Sequence, residues 1–176
     1  MITLWFKLNL EGMKINIQIR NYEKSDKDIW DIQWCKVDFS FIFRDIINYK
    51  NSSEILLSCE IEELKDKLDD LINDRITQEF ELDFIEPDFM FLFSPKIKKE
   101  IYTINQEDTP KYFTTEPYLE WKVKLWDDGL TSNYFSTALD IDDIKALRCY
   151  LGLIMGTITT DDKEVIKYMN KGIIIE

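Results

Sequence analysis

Ser58-Cys-Glu-Ile-Glu-Glu-Leu-Lys-Asp-Lys-Leu-Asp-Asp-Leu-Ile-Asn-Asp-Arg75 is the stretch whose reading decides the fold. Ile61, Leu64, Leu68, Leu71 and Ile72 recur at i, i+3, i+7, i+10 and i+11, one stripe at helical period. The spacing predicts a helix over residues 60–74. Ser58 is placed to cap its first turn, and Glu60, Glu62 and Glu63 lie where the helix dipole favours anions. The opposite face carries Glu62, Asp66, Asp69, Asp70 and Asn73. Glu62 with Asp66, and Asp66 with Asp70, are like charges one turn apart, each costing roughly 0.2–0.5 kcal/mol. Lys65 with Asp69 and Glu63 with Lys67 offset part of that cost. Two readings of this face stand: ordinary solvated surface, or an acidic edge kept for a basic partner.

Upstream of the helix the pattern changes to period two. Ile2–Leu8 reads as a strand, Glu11-Gly12 as a turn, and Met13, Ile15, Ile17 and Ile19 alternate with polar residues. A further strand beginning near Trp30 carries Cys35, Val37, Phe39, Phe41 and Phe43 on one face, which makes Cys35 a packing residue rather than a reactive thiol. Asn48–Ser53 reads as a turn and Glu54–Leu57 as a short strand. Downstream, Phe80, Leu82 and Phe84 alternate, Glu86-Pro87-Asp88 interrupts, and Asp88–Phe93 is apolar on both faces, as a central strand is.

Residues 94–115 form the least regular segment, with a basic cluster of Lys96, Lys98 and Lys99 and a short candidate strand at Ile101–Ile104. Trp121, Val123 and Leu125 open a hairpin that turns at Asp127-Asp128-Gly129. Asp140 caps a second helix over 141–155 with Asp143 at the capping-box position. That helix is apolar on two sides, Ile144, Leu147, Leu151 and Met155 on one and Ala146, Cys149, Tyr150 and Leu153 on the other, so both must be covered. Residues 161–175 of the same chain, or a second copy, are the candidate covers. Thr160 opens a short third helix with Val165, Ile166 and Met169, and Ile173–Ile175 reads as a last strand.

The fold class is therefore α+β: mainly antiparallel sheet, in two layers or strongly curved, packed with two longer helices and a short C-terminal helix. Strands are expected within residues 2–57, 77–93 and 118–139. Length suits one domain over 1–176, with an irregular insertion at 94–115 and a C-terminal extension at 157–176.

Composition narrows the function classes. Hydrophobic residues make up 45% and aromatics 14%, too much apolar surface for a disordered chain. A net charge of −12 argues against nucleic acid or an anionic membrane as a direct ligand and fits a basic protein partner. There is no histidine, the commonest general base and metal ligand. Cys35, Cys59 and Cys149 are odd in number and far apart, which fits a reduced, cytoplasmic setting. Met1–Leu10 lacks the apolar core of a signal peptide, and no apolar run is long enough to span a membrane. The sequence has no Gly-rich phosphate loop, Gly-x-Ser-x-Gly elbow, HExxH or CxxC. Glu86 and Glu116 could pair as glycosidase carboxylates, but Glu-Pro at a strand start explains both. Asp127, Asp128, Asp140, Asp142 and Asp143 lack EF-hand spacing and fit turn and N-cap duty. No catalytic residue, metal or cofactor is expected.

Trp30-Asp-x-x-Trp34 leads into an alternating strand. An acidic helix (Glu60–Asp74) follows, then Glu81-x-Asp-x-x-Glu-Pro87, then a hairpin. Phe135 to Tyr150 closes the series as strand, Asp and a helix with Leu147 and Leu151. This order, over about residues 13–155, resembles the WapI-type bacterial immunity family. The resemblance implies a cytoplasmic, non-enzymatic protein that binds and blocks a cognate toxin domain, typically a nuclease; the chain itself is expected to be a monomer or homodimer. A nuclease is basic where it holds nucleic acid, so an acidic inhibitor gains steering and complementarity. On that reading Glu62, Asp66, Asp69, Asp70 and Asn73 are the candidate partner-binding residues. Two other classes stay open: an acidic interaction or scaffold module, and a carboxylate enzyme. Gene neighbourhood separates the first from an immunity protein. A deep pocket with convergent acids would mark the second.

Overall fold

A computed structural model describes residues 3–25, 33–101 and 111–176. Four strands come first: β1 (Trp5–Leu10), β2 (Met13–Arg20), β3 (Trp34–Phe43) and β4 (Ile47–Leu57). The helix α1 (Ser58–Ile72) follows, then β5 (Phe80–Asp83), β6 (Phe89–Ser94), β7 (Ile97–Ile101), β8 (Lys111–Thr115), β9 (Tyr118–Trp126) and β10 (Leu130–Leu139). Two helices, α2 (Ile141–Ile154) and α3 (Lys163–Asn170), precede a two-residue strand β11 (Ile174–Ile175). The described strand pairings are all antiparallel. The fold is α+β.

The strands form a sheet in the order β11-β1-β2-β3-β4, a second in the order β10-β9-β6-β5, and a separate hairpin of β7 and β8. Period-two patterning sets which face is buried: Ile15, Ile17, Ile19, Val37, Phe39 and Phe41 point inward from the first sheet and Phe89, Phe91, Trp121 and Val123 from the second. The two inner faces meet through aromatic rings. Phe39 lies edge-on to Phe89 and Trp121, with centroids 5.3 and 5.7 Å away, and Phe41 stacks on Phe135 at 3.8 Å. Such pairs add about 0.5–1.5 kcal/mol each beyond the area they bury.

α1 begins where β4 ends and α2 where β10 ends, so each helix starts at the end of its strand away from the preceding hairpin turn. The hairpin turns at Glu11-Gly12, Arg44–Ile46 and Asp127–Gly129 lie near one another: the Arg44 N–H donates to the Gly12 carbonyl, and the Trp126 N–H to the Tyr49 hydroxyl. Glu11 and Gly12 have φ of 49° and 92°, the positive values a two-residue primed turn demands. α1 buries Ile61, Leu64, Leu68 and Leu71, the expected stripe, against α2 and the sheets. α2 is buried on two sides as its pattern requires. Tyr150 packs on Phe6 of β1 at 5.5 Å, and Cys149 faces Glu164 of α3. Residues of the same chain supply the cover: α3 buries Val165 and Tyr168, and β11 pairs with β1.

Several local expectations are corrected. Residues 48–53 are not a turn but the first half of the continuous strand β4; it is an edge strand with one face in solvent, so Asn, Ser and Lys are tolerated there. The turn lies at Arg44–Ile46, with Arg44 at φ 48°. Ser58 does not cap α1. Leu57 holds the cap position, and the Glu60 carboxylate reaches back to the Leu57 N–H at 2.8 Å. Ser58 is drawn inward instead, its own N–H donating to the Gln33 carbonyl at 3.0 Å. α3 starts at Lys163 behind an Asp162 cap rather than at Thr160, and it buries Tyr168 while Ile166 is exposed. The irregular stretch at 94–115 has paired ends: Ile97 lies opposite Thr115 and Ile101 opposite Lys111. Of the strand expected at Ile101–Ile104, Ile101 ends β7 and the rest lies outside the described residues, as do Ile2 and Trp30.

Candidate functional site

The five residues singled out on α1 do not share one role. Glu62 is half-buried and accepts hydrogen bonds from the Tyr22 hydroxyl (2.9 Å), the Ser25 N–H (2.9 Å) and the Ser25 hydroxyl (2.7 Å), so it anchors the segment after β2. Asp69 accepts from Lys65 at 2.8 Å and from Arg148 of α2 at 2.8 Å. Burial pushes its carboxyl up, but the hydrogen bonds from Lys65 and Arg148 outweigh that and hold it below the usual carboxylate range. Asp70 pairs with Arg75 at 2.7 Å, and the Asn73 amide donates to the Asp69 carbonyl at 2.6 Å, closing the helix end. Asp66 is exposed, with exposed Glu63 one turn before it on the helix surface. α1 thus divides into a structural portion at Glu62, Asp69 and Asn73 and a solvent-facing acidic portion centred on Asp66.

Glu60, which the sequence placed only as a dipole partner, is buried and joins two elements. Besides the Leu57 N–H it accepts the Ile85 N–H at 2.7 Å, tying the start of α1 to the β5–β6 turn. Burial raises its pKa, against those two backbone donors.

At the start of α2, Asp140 accepts from the Asp142 and Asp143 backbone N–H groups at 2.8 and 3.0 Å, the expected cap. Hydrogen bonds from Lys167 and Lys171 lower Asp142 to about 2, while burial raises Asp143 to about 6. Among the described residues no group of three or more His, Cys, Asp or Glu is arranged to hold a metal ion. Clefts of about 710, 480 and 430 Å³ lie along the first sheet, and neither Glu86 nor Glu116 is in their linings.

The turn end of the two sheets carries a feature the sequence did not announce. Trp126, at the end of β9, is 39% exposed, yet its indole Nε1 donates to Asp88 Oδ1 at 2.6 Å and its backbone N–H donates to the Tyr49 hydroxyl at 3.4 Å. Asp88 is only 2% exposed. Its Oδ1 also receives the Asn51 amide at 3.4 Å, and its Oδ2 is buried with no partner among the described residues. Burial raises the Asp88 pKa, with the Trp126 hydrogen bond opposing. Leu130 faces Trp126 across the hairpin, and Tyr134, Ile46 and Ile47 are exposed at the same end. In sequence Asp88 reads only as the last residue of Glu86-Pro87-Asp88. Its sole signal is a charge directly before an apolar strand.

Among the described residues no helix is long and apolar enough to cross a membrane. No curated protein matches the chain. Residues 5–148, from β1 to the middle of α2, match the family model described as the immunity protein WapI-like family. The matched span holds both large sheets up to α2 and leaves α3 and β11 outside it. With well over half of its length matched, the chain belongs to the immunity protein WapI-like family.

Proposed function

We propose that this protein binds and neutralises a cognate toxin domain in the cytoplasm, and that the toxin is a nuclease with a basic surface. Family membership over residues 5–148 is the observation that carries the reading. The net charge of −12 supports it, because a nuclease surface that attracts phosphate also attracts an acidic inhibitor and repels few of its contacts. The protein acts by occupying the toxin rather than by turning anything over. The acidic side of α1 supplies steering charge through Asp66 and Asp70, while Glu62, Asp69 and Asn73 hold that side in shape. The direct test is co-expression in bacteria of the toxin domain encoded beside this gene, with and without this protein. Restored growth is expected. Unchanged killing, with both proteins soluble, would overturn the reading.

A further inference from the structure

Exposed tryptophans are usually free to rotate, and ordering them on binding costs side-chain entropy. Trp126 is fixed beforehand. Its indole N–H is held by the buried Asp88 carboxylate and its backbone by Tyr49 of the facing sheet. A buried carboxylate with one oxygen left without a partner is an expensive support for a surface side chain. The sandwich does not need it for closure, since Phe39, Phe41, Phe89, Trp121 and Phe135 already join the sheets deeper in.

Further apolar residues are exposed near Trp126, Leu130 directly opposite it across the hairpin. Leu130 is 41% and Tyr134 58% exposed, and Ile46 and Ile47 lie on the turn of the facing hairpin. The three turns at this end carry four exposed acids, Glu11, Asp45, Asp127 and Asp128, against one cation, Arg44, which lies over the Phe43 ring at 5.3 Å. Aromatic anchors in a charged rim are the make-up of an interface hot spot. The sign of the rim selects the occupant: a second copy of this chain would set one net acidic rim against another, whereas a basic protein would find complementary charges.

We infer that the turn end of the sandwich, with Trp126 and Tyr134 as anchors and Asp88 as the group that positions Trp126, is the surface that docks the basic toxin domain. This rests on the toxin-neutralising reading and goes further by naming the surface, which is built on the hairpin turns of the two sheets rather than on the acidic side of α1. In operation the acids of the turns and of α1 bring the partner in, and the fixed indole sets how long it stays.

The test uses the full chain and the purified toxin domain encoded in the adjacent gene, with affinity and dissociation rate measured for wild type, Trp126→Ala, Tyr134→Ala and Asp88→Asn. Trp126→Ala and Tyr134→Ala should each weaken binding by about thirtyfold or more, mostly through faster dissociation. Tyr134→Ala should leave the melting temperature unchanged, which guards against loss of fold as the cause. Asp88→Asn keeps an acceptor for the indole and should weaken binding far less than Trp126→Ala. Wild-type affinity in both alanine variants, with wild type bound, would overturn this surface and leave toxin neutralisation standing. No binding by wild type would remove the functional reading and the surface together. A wild-type homodimer by light scattering that Trp126→Ala dissolves would assign the surface to a second copy and overturn the proposal.

Discussion

Arg148 on α2 donates through Nε to Asp69 Oδ1 on α1 at 2.8 Å, and through its terminal nitrogen to Glu164 on α3 at 3.1 Å. One guanidinium therefore joins all three helices. Asp69, which by sequence is one acid among several on a helix face, is the carboxylate on which this joint turns. Its side chain and that of Arg148 are 21% and 30% exposed, so the pair is only partly screened by water.

Asp69→Ala should destabilise the fold by about 1–3 kcal/mol, since it removes the acceptor shared by Lys65 and Arg148 and leaves Arg148 with Glu164 alone. Asp66→Ala, on the same helix but in solvent, should stay within about 0.5 kcal/mol of wild type. Chemical denaturation of both variants reads the difference. Equal stability of the two would mean that the Arg148 joint is ordinary surface pairing.

The contrast between these residues shows what was legible in sequence. Periodicity alone identified Ile61, Leu64, Leu68 and Leu71 as the buried stripe of α1, the inward residues of β2 and β3, and the two covered sides of α2. These are local patterns, repeated every two or 3.6 residues, so a one-dimensional reading captures them. The roles of Asp69, Glu62 and Asp88 depend on partners at 148, at 22 and 25, and at 126 and 51, and no spacing rule links such positions. For the same reason the edge strand at residues 48–53 passed for a turn: its polar residues report exposure, and only pairing with β3 reveals the strand.

Tyr150→Phe tests how α2 is fastened to the first sheet. The hydroxyl accepts the Ile19 N–H at 2.8 Å and donates to the Leu4 carbonyl at 3.4 Å, all within the core. Removing it leaves a buried backbone N–H without an acceptor, and a loss of roughly 1–3 kcal/mol is expected by thermal or urea unfolding. Protection of the Ile19 amide from hydrogen exchange should fall in the same variant. Unchanged protection would contradict the assignment.

Asp143 gives the protein a pH dependence of defined sign. Its folded pKa is about 6 against an ordinary value of 3.8, so the folded state holds the proton more tightly than the unfolded chain. Stability from this group is full below 3.8 and is lost as pH rises through about 6. Its neighbour Asp142, lowered to about 2, acts the other way and loses its contribution only as the solution becomes strongly acidic. Asp143→Asn should raise Tm at neutral pH by about 2–4 °C, the equivalent of about 1 kcal/mol in a chain of this length, and the gain should vanish in acid. A Tm gain independent of pH would point to packing instead.

Charge on α1 should appear in kinetics more than in affinity. Reversing Asp66 and Asp70 together should slow association with the toxin domain by about tenfold at low salt, with the gap closing as salt screens it. The double variant turns the repulsion between Glu62 and position 66 into attraction, keeps a like-charge pair at 66 and 70, and breaks the Asp70–Arg75 pair, so its melting temperature should stay close to wild type. An unchanged association rate across a salt series would make the helix face ordinary solvated surface.

The central claim is that this chain works by holding a toxin. Isothermal titration of the full-length protein with the toxin domain encoded beside it tests that claim directly. A saturable complex of fixed stoichiometry, with dissociation constant of about 10 nM or tighter, is the expected result, corresponding to about −11 kcal/mol of binding free energy. The absence of binding heat at every temperature tried, with no complex by size-exclusion chromatography, would contradict it.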